Sequence, residues 1–239
     1  MLTGERLLMA ALFLGAATAS AAAQDDEGML PGSISGNVAI TSDYVFRGFT
    51  QTREDVAVQV GIDWDSDTGV YVGAWGSNIR FGLPDEGNFE GRLYGGYKAE
   101  IEGFTYDVGA IWYQYPYATK ALEYDWWEAS GKVGYDFGVA AVSGSVSYTP
   151  DYFGGLDKAW YYEGKLAVPV GVEGLSVDGT IGRQDFQGGI EDVTDYSVGV
   201  TYAMKWFTTD LRFIDTDGEA VGCKRICDKR VVLKLSRSF

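Results

Sequence analysis

The stretch Asp55-Val56-Ala57-Val58-Gln59-Val60-Gly61-Ile62-Asp63-Trp64 decides how the chain is read. Val56, Val58, Val60, Ile62 and Trp64 take every second position, with Asp55, Gln59 and Asp63 between them. A period of two puts the apolar groups on one side of an extended strand and the polar groups on the other. The preceding segment, Ile34 to Gly48, alternates likewise: Ile34, Val38, Ile40, Tyr44 and Phe46 oppose Ser35, Asn37, Thr41, Asp43 and Arg47. Working outward, the pattern recurs at 89–98, 104–112, 127–136, 140–148, 160–168, 175–181, 195–202, 207–213 and 231–239. Val70 to Phe81 is a strand by length and composition, without a clean register. The sum is about twelve strands of about ten residues, the length that crosses a bilayer at a tilt.

The connections alternate as well. With both termini on one side, those at 66–69, 101–103, Gly138, 171–174 and Lys205 are short, and those at 50–54, 82–88, 116–125, 150–158, 186–193 and 216–229 are mostly longer. Outer-membrane barrels have short periplasmic turns and longer external loops. Asp85, Lys120, Asp157 and Lys224 are therefore expected outside the cell, and Ser66 and Lys205 on the periplasmic side.

Residues 1–23 read as an export signal: Arg6, an apolar run from Leu7 to Ala17, and small residues up to Ala23, with cleavage before Gln24. A short periplasmic segment, 24–33, then leads into a barrel over 34–239. No later run reaches the roughly 18 apolar residues of a spanning helix, so membrane entry requires a barrel. The chain has 19 basic and 34 acidic residues, net −15, and no histidine. Triads, Cys–His pairs and His-ligated zinc are thereby excluded, and the acidic balance argues against nucleic acid as a partner. No enzyme activity, cofactor or metal is expected.

A water-soluble barrel with an apolar interior also alternates. Three features favour lipid on the apolar side. Twelve strands enclose a lumen too wide to fill with apolar side chains alone. Charges of both signs occur mid-strand on the polar face. Trp64, Trp112, Trp127, Trp160 and Trp206 fall near strand ends, where aromatic girdles sit. The reading is an all-β, antiparallel, up-and-down transmembrane barrel in the outer membrane of a Gram-negative bacterium. Phe239, terminal and on the apolar face, is expected to act as the assembly signal for the outer-membrane assembly machinery, with Arg237 beside it able to snorkel.

Two stretches carry a family resemblance. Ser42-Asp43-Tyr44-Val45-Phe46-Arg47-Gly48-Phe49-Thr50-Gln51 and Tyr71-Val72-Gly73-Ala74-Trp75-Gly76-Ser77-Asn78 resemble the "SDYxFRG…Q" and "YxGxWxSN" segments of the TorF-type porins, proteobacterial outer-membrane proteins formerly called conserved hypothetical. The resemblance implies export, a barrel and an outer-membrane location, and supplies no catalytic residues.

The candidate site is the polar face. It comprises Asp43, Arg47, Asp63, Glu90, Arg92, Lys98, Asp107, Glu128, Lys132, Asp136, Glu163, Lys165, Asp178, Asp195, Asp210, Arg212 and Lys234. These would line a path for small hydrophilic solutes, with cations preferred because carboxylates outnumber bases. Glu128/Lys132, Glu163/Lys165 and Asp210/Arg212 are candidate pairs. Asp63, Asp107, Asp136, Asp178 and Asp210 fall toward the periplasmic mouth, and Lys132, Lys165, Arg212 and Lys234 nearer the middle. The alternative is a lumen sealed by such pairs, in a receptor, adhesin or structural barrel acting through its loops. Cys223 and Cys227 are expected to form a disulfide at the last external loop.

Overall fold

The computed structural model describes residues 31–82, 86–217, 223 and 225–239. Residues 1–30, over which an export signal and most of a short segment before the barrel are expected, and the loop positions Asp85 and Lys224 lie outside them. Twelve strands close into one antiparallel barrel: β1 (Gly32–Thr41), β4 (Ala57–Ser66), β5 (Val70–Asn78), β6 (Phe89–Ile101), β7 (Phe104–Gln114), β8 (Trp126–Asp136), β9 (Ala141–Thr149), β10 (Ala159–Pro169), β11 (Leu175–Phe186), β12 (Val193–Ala203), β13 (Thr208–Thr216) and β14 (Arg230–Ser238). Neighbours in the chain are neighbours in the ring, and β1 closes it by pairing with both β4 and β14. Among the described residues no helix is long and apolar enough to cross a membrane, which says nothing about crossing by strands.

Alternation is converted directly into an apolar exterior. Val58, Val60 and Ile62 are more than half exposed, while Ala57 and Gln59 between them are buried. The same holds round the ring, for instance at Val108, Leu166, Val198, Leu211 and Val231. A contiguous apolar surface of this extent is far larger than water-soluble monomers expose. Trp112, Trp127 and Trp206 stand on that surface near strand ends. The connections after β4, β6, β8, β10 and β12 are short, and those after β1, β5, β7, β9, β11 and β13 are longer.

One reading of the sequence is corrected, and one it left open is resolved. The first strand ends at Thr41 rather than Gly48, and the chain turns back as a two-stranded hairpin, β2 (Val45–Phe46) and β3 (Phe49–Thr50). Tyr44 and Phe46 therefore do not continue the outer face: Tyr44 is 6% exposed, and Phe46 packs against the cluster to which Tyr44 belongs. A hairpin has the same period of two as the strand it extends, so alternation could not reveal the break. The second concerns β5, whose register the sequence left open. Val70 and Val72 face outward, and Tyr71, Gly73, Trp75 and Ser77 face inward. Its faces look mixed because Trp75 points inward, toward the hairpin.

At the closure, Phe239 is 62% exposed and exchanges two backbone hydrogen bonds with Gly36. Cys223 and Cys227 form a disulfide with Cα atoms 5.5 Å apart, within the ordinary range.

Candidate functional site: a hairpin across the barrel mouth

The β2–β3 hairpin turns at Arg47-Gly48, where both residues have positive φ (49° and 84°). Such a turn needs glycine in one position and matches the twist of the two strands. The hairpin does not extend into solvent. It leaves β1 and crosses the interior, and its tip meets β8, β10 and β11, which lie across the ring.

Three anchors hold it. At the tip, the Arg47 guanidinium donates to Glu128 Oε2 at 2.6 Å and to Gln184 Oε1 at 3.0 Å, and lies 4.1 Å from the Tyr161 ring centroid. The Arg47 and Glu128 side chains are 8% and 4% exposed. Burial opposes the Arg47 charge, but the Glu128 carboxylate outweighs it and holds the guanidinium above its ordinary pKa. On one flank, the Tyr44 hydroxyl donates to Glu90 Oε1 at 3.0 Å and receives a hydrogen bond from Arg92. Arg92 also donates to Glu90 at 2.7 Å and stacks 4.5 Å from the Trp75 ring. Burial pushes the Tyr44 phenol well up, so it serves as a neutral donor. At the root, Asp43 accepts from Arg230 at 2.8 Å and from the Thr52 and Thr50 hydroxyls. The disulfide loop completes this root: Thr50 N–H donates to the Ile226 carbonyl at 2.7 Å.

Around the hairpin the long-loop half of the interior is packed with aromatic rings. Tyr113 and Trp126 stack at 4.0 Å, and Tyr124 and Phe153 at 4.1 Å. The two motif stretches meet here, Tyr44 edge-on to Trp75 at 5.5 Å.

The short-turn half is polar. Arg212 binds both carboxylate oxygens of Asp178 (2.8 and 2.9 Å) and also Asp210 (2.9 Å), and Lys165 stands 3.6 Å from Asp178. Lys98 and Asp65 face each other at 3.4 Å, each about a third exposed. Other carboxylates are held by tyrosines: in this half Tyr71 donates to Asp107 at 2.8 Å and Tyr94 to Asp63, and at the mouth Tyr161 donates to Asp195 at 3.1 Å.

The structure thus places the sequence-derived residues in distinct settings. Asp43 and Arg47 are on the hairpin rather than on a wall strand. Glu90, Arg92, Glu128 and Asp195 stand at the mouth with it. Asp63, Lys98, Asp107, Asp178, Asp210 and Arg212 lie in the short-turn half, with Lys132, Glu163, Lys165 and Lys234 between. Asp136 is exposed at the strand end and accepts from the Gly138 N–H at 2.7 Å. Asp210 does pair with Arg212, whereas Glu128 pairs with Arg47 and Lys165 with Asp178. Sequence reasoning missed Tyr71, Tyr94, Tyr161 and Arg230. The tyrosines sit at polar-face positions, which was the available signal.

Gly182 makes room for one of these tyrosines. A Cβ there would overlap the Tyr161 hydroxyl and come within 2.5 Å of Asp195 Oδ2. Gly182→Val is expected to cost about 1–3 kcal/mol, as overpacking does. A lower denaturant midpoint for loss of the heat-modifiable barrel band would report it, and an unchanged midpoint would show that Tyr161 can leave its place freely.

The fold is similar to that of solved porins. The KdgM porin superposes with a TM-score of 0.59 at 8% identity, over 86% of this chain and 99% of that one. A KdgM porin in complex with disordered oligogalacturonate gives 0.58 at 7%, over 86% and 98%. The NanC porin gives 0.58 at 10%, over 87% and 99%. At these identities the likeness establishes a shared fold. No curated protein matches this sequence. The model of the family described as "Bacterial protein of unknown function (Gcw_chp)" matches residues 25–239, almost the whole chain, and the chain belongs to that family.

Proposed function

We propose that the protein is a porin-like channel of the Gram-negative outer membrane, passing small hydrophilic solutes by diffusion and narrowed at its external mouth by the β2–β3 hairpin. The observation that carries this reading is a twelve-strand closed barrel with an apolar exterior and a charged, partly exposed interior. The porin fold supports it, and the two sequence motifs support the finer assignment to the TorF-type porins. Liposomes containing the folded protein are expected to swell in isotonic solutions of small sugars and to lose that response as sugar size rises. The sealed-barrel reading, in which the packed hairpin closes the mouth and the loops bind partners, predicts no swelling with any sugar.

The preference is for cations. Of the interior bases, Arg47, Arg92, Lys98, Lys165, Arg212 and Arg230 are paired with carboxylates. Asp63, Asp107 and Asp195 are held by tyrosine hydroxyls, which bring no positive charge to them. Fixed negative charge in a narrow path concentrates cations, and salt screens it as the Debye length falls from about 30 Å at 0.01 M to about 3 Å at 1 M. The triple variant Asp63→Asn, Asp107→Asn, Asp195→Asn is expected to move the reversal potential toward zero in a low-salt gradient. An anion-selective reversal potential in the unmodified protein would sink the charge argument.

A further inference from the structure

The outer face of the barrel carries a polar feature that a channel does not require. On β14 the outward positions Val231, Leu233 and Leu235 are apolar and exposed, and the next outward position is Arg237, also exposed. Thr208 pairs with Ser236, so Arg237 stands level with Phe207 and the turn between β12 and β13. In the short-turn half, Arg237 is the charged outward-facing strand residue among those described. Its guanidinium carbon lies 5.7 Å from the centroid of the Trp206 ring, and Lys205 Nζ lies 5.2 Å from the same centroid. Trp206 is 61% exposed.

Two cations therefore share one indole on the lipid side of the barrel. Among the described residues neither has an ion-pair partner, in contrast to most interior bases. Attraction to the ring faces brings them together, while their mutual repulsion opposes it. An anion seated between them would remove that repulsion. Exposed apolar side chains adjoin the pair: Phe207, Leu211, Leu233 and Leu235. The combination of an anion-complementary pair, an interfacial tryptophan and an adjoining apolar track matches a phospholipid in the leaflet that the short turns face.

We propose that Lys205, Trp206 and Arg237 form a binding site for the headgroup phosphate of an anionic phospholipid in the periplasmic leaflet, its acyl chains lying along Leu211, Leu233 and Leu235. The site rests on the membrane reading of the barrel but not on conduction. A net negative headgroup lowers the repulsion between the two cations, whereas a zwitterionic one brings its own ammonium into the same space.

The test is native mass spectrometry of the full-length protein, folded in detergent and offered equal amounts of phosphatidylglycerol and phosphatidylcholine. The unmodified barrel is expected to retain phosphatidylglycerol several-fold more than phosphatidylcholine. Lys205→Gln with Arg237→Gln should abolish that preference, and Arg183→Gln, which removes an outward cation at the opposite end, should not. Lys205→Gln alone, in the turn and outside any strand, should weaken it and covers the case in which the Arg237 change prevents folding. Equal retention of the two lipids by the unmodified barrel, or an undiminished preference in the Lys205→Gln variant, overturns the site. A protein that fails to insert into liposomes of either lipid overturns the membrane reading together with the site.

Discussion

Replacing residues 43–53 with a short Gly-Ser linker is expected to raise single-channel conductance several-fold while the barrel still folds. The wall is closed by β1, β4 and β14 without help from the hairpin: β1 pairs with β4 along its full length and with β14 over Asn37–Thr41. The hairpin adds matter only to the interior, where Tyr44, Phe46 and Arg47 reach from β1 to the far wall. Its removal also takes Arg47 from Glu128 and Asp43 from Arg230. Glu128 and Arg230 both stand near the mouth, so water admitted by the deletion can solvate them. Unchanged conductance from a variant that keeps its heat-modifiable band would show that the hairpin is not the narrowest point.

The second large effect is expected at the hairpin tip. Glu128→Ala leaves the Arg47 guanidinium buried without its carboxylate. Breaking a buried pair from one side costs about 3–5 kcal/mol. The cost falls on the seated hairpin rather than on the ring, so the expected result is a flickering, larger conductance and faster proteolysis within residues 42–56. Arg47→Ala is expected to act similarly, since it strands Glu128 at 4% exposure. The double variant removes both charges and is expected to cost less than the sum of the two. Strict additivity in this cycle would mean that the 2.6 Å contact does not couple the two residues.

The barrel itself was legible in the sequence because its exterior is simple. Lipid imposes one demand, apolar side chains at every second position, and Val56 to Trp64 or Phe104 to Trp112 meet it without exception. The interior answers to several demands at once. Trp75 is apolar but points inward, because it forms the bed for Arg92 and Tyr44, and that one residue obscured the register of β5. Tyr44 and Phe46 kept the apolar beat of β1 while leaving the wall, since a hairpin and a strand share one period. Pairing was legible only within a strand, as for Asp210 and Arg212. Arg47 and Glu128 stand across the ring, and Asp43 and Arg230 are separated by most of the chain, and only the closed fold brings them together. The "SDYxFRG…Q" stretch, read from the sequence as part of the first strand, lies from Ser42 to Gln51 beyond the end of that strand and forms the hairpin.

Single-channel recording of the unmodified protein in a planar bilayer, across a salt gradient at low ionic strength, tests the central claim most directly. The account predicts discrete, ohmic steps of small conductance with a cation-selective reversal potential that collapses toward zero at about 1 M salt, where the Debye length is about 3 Å. Bilayers that stay silent, with protein shown to be inserted and heat-modifiable, would contradict it.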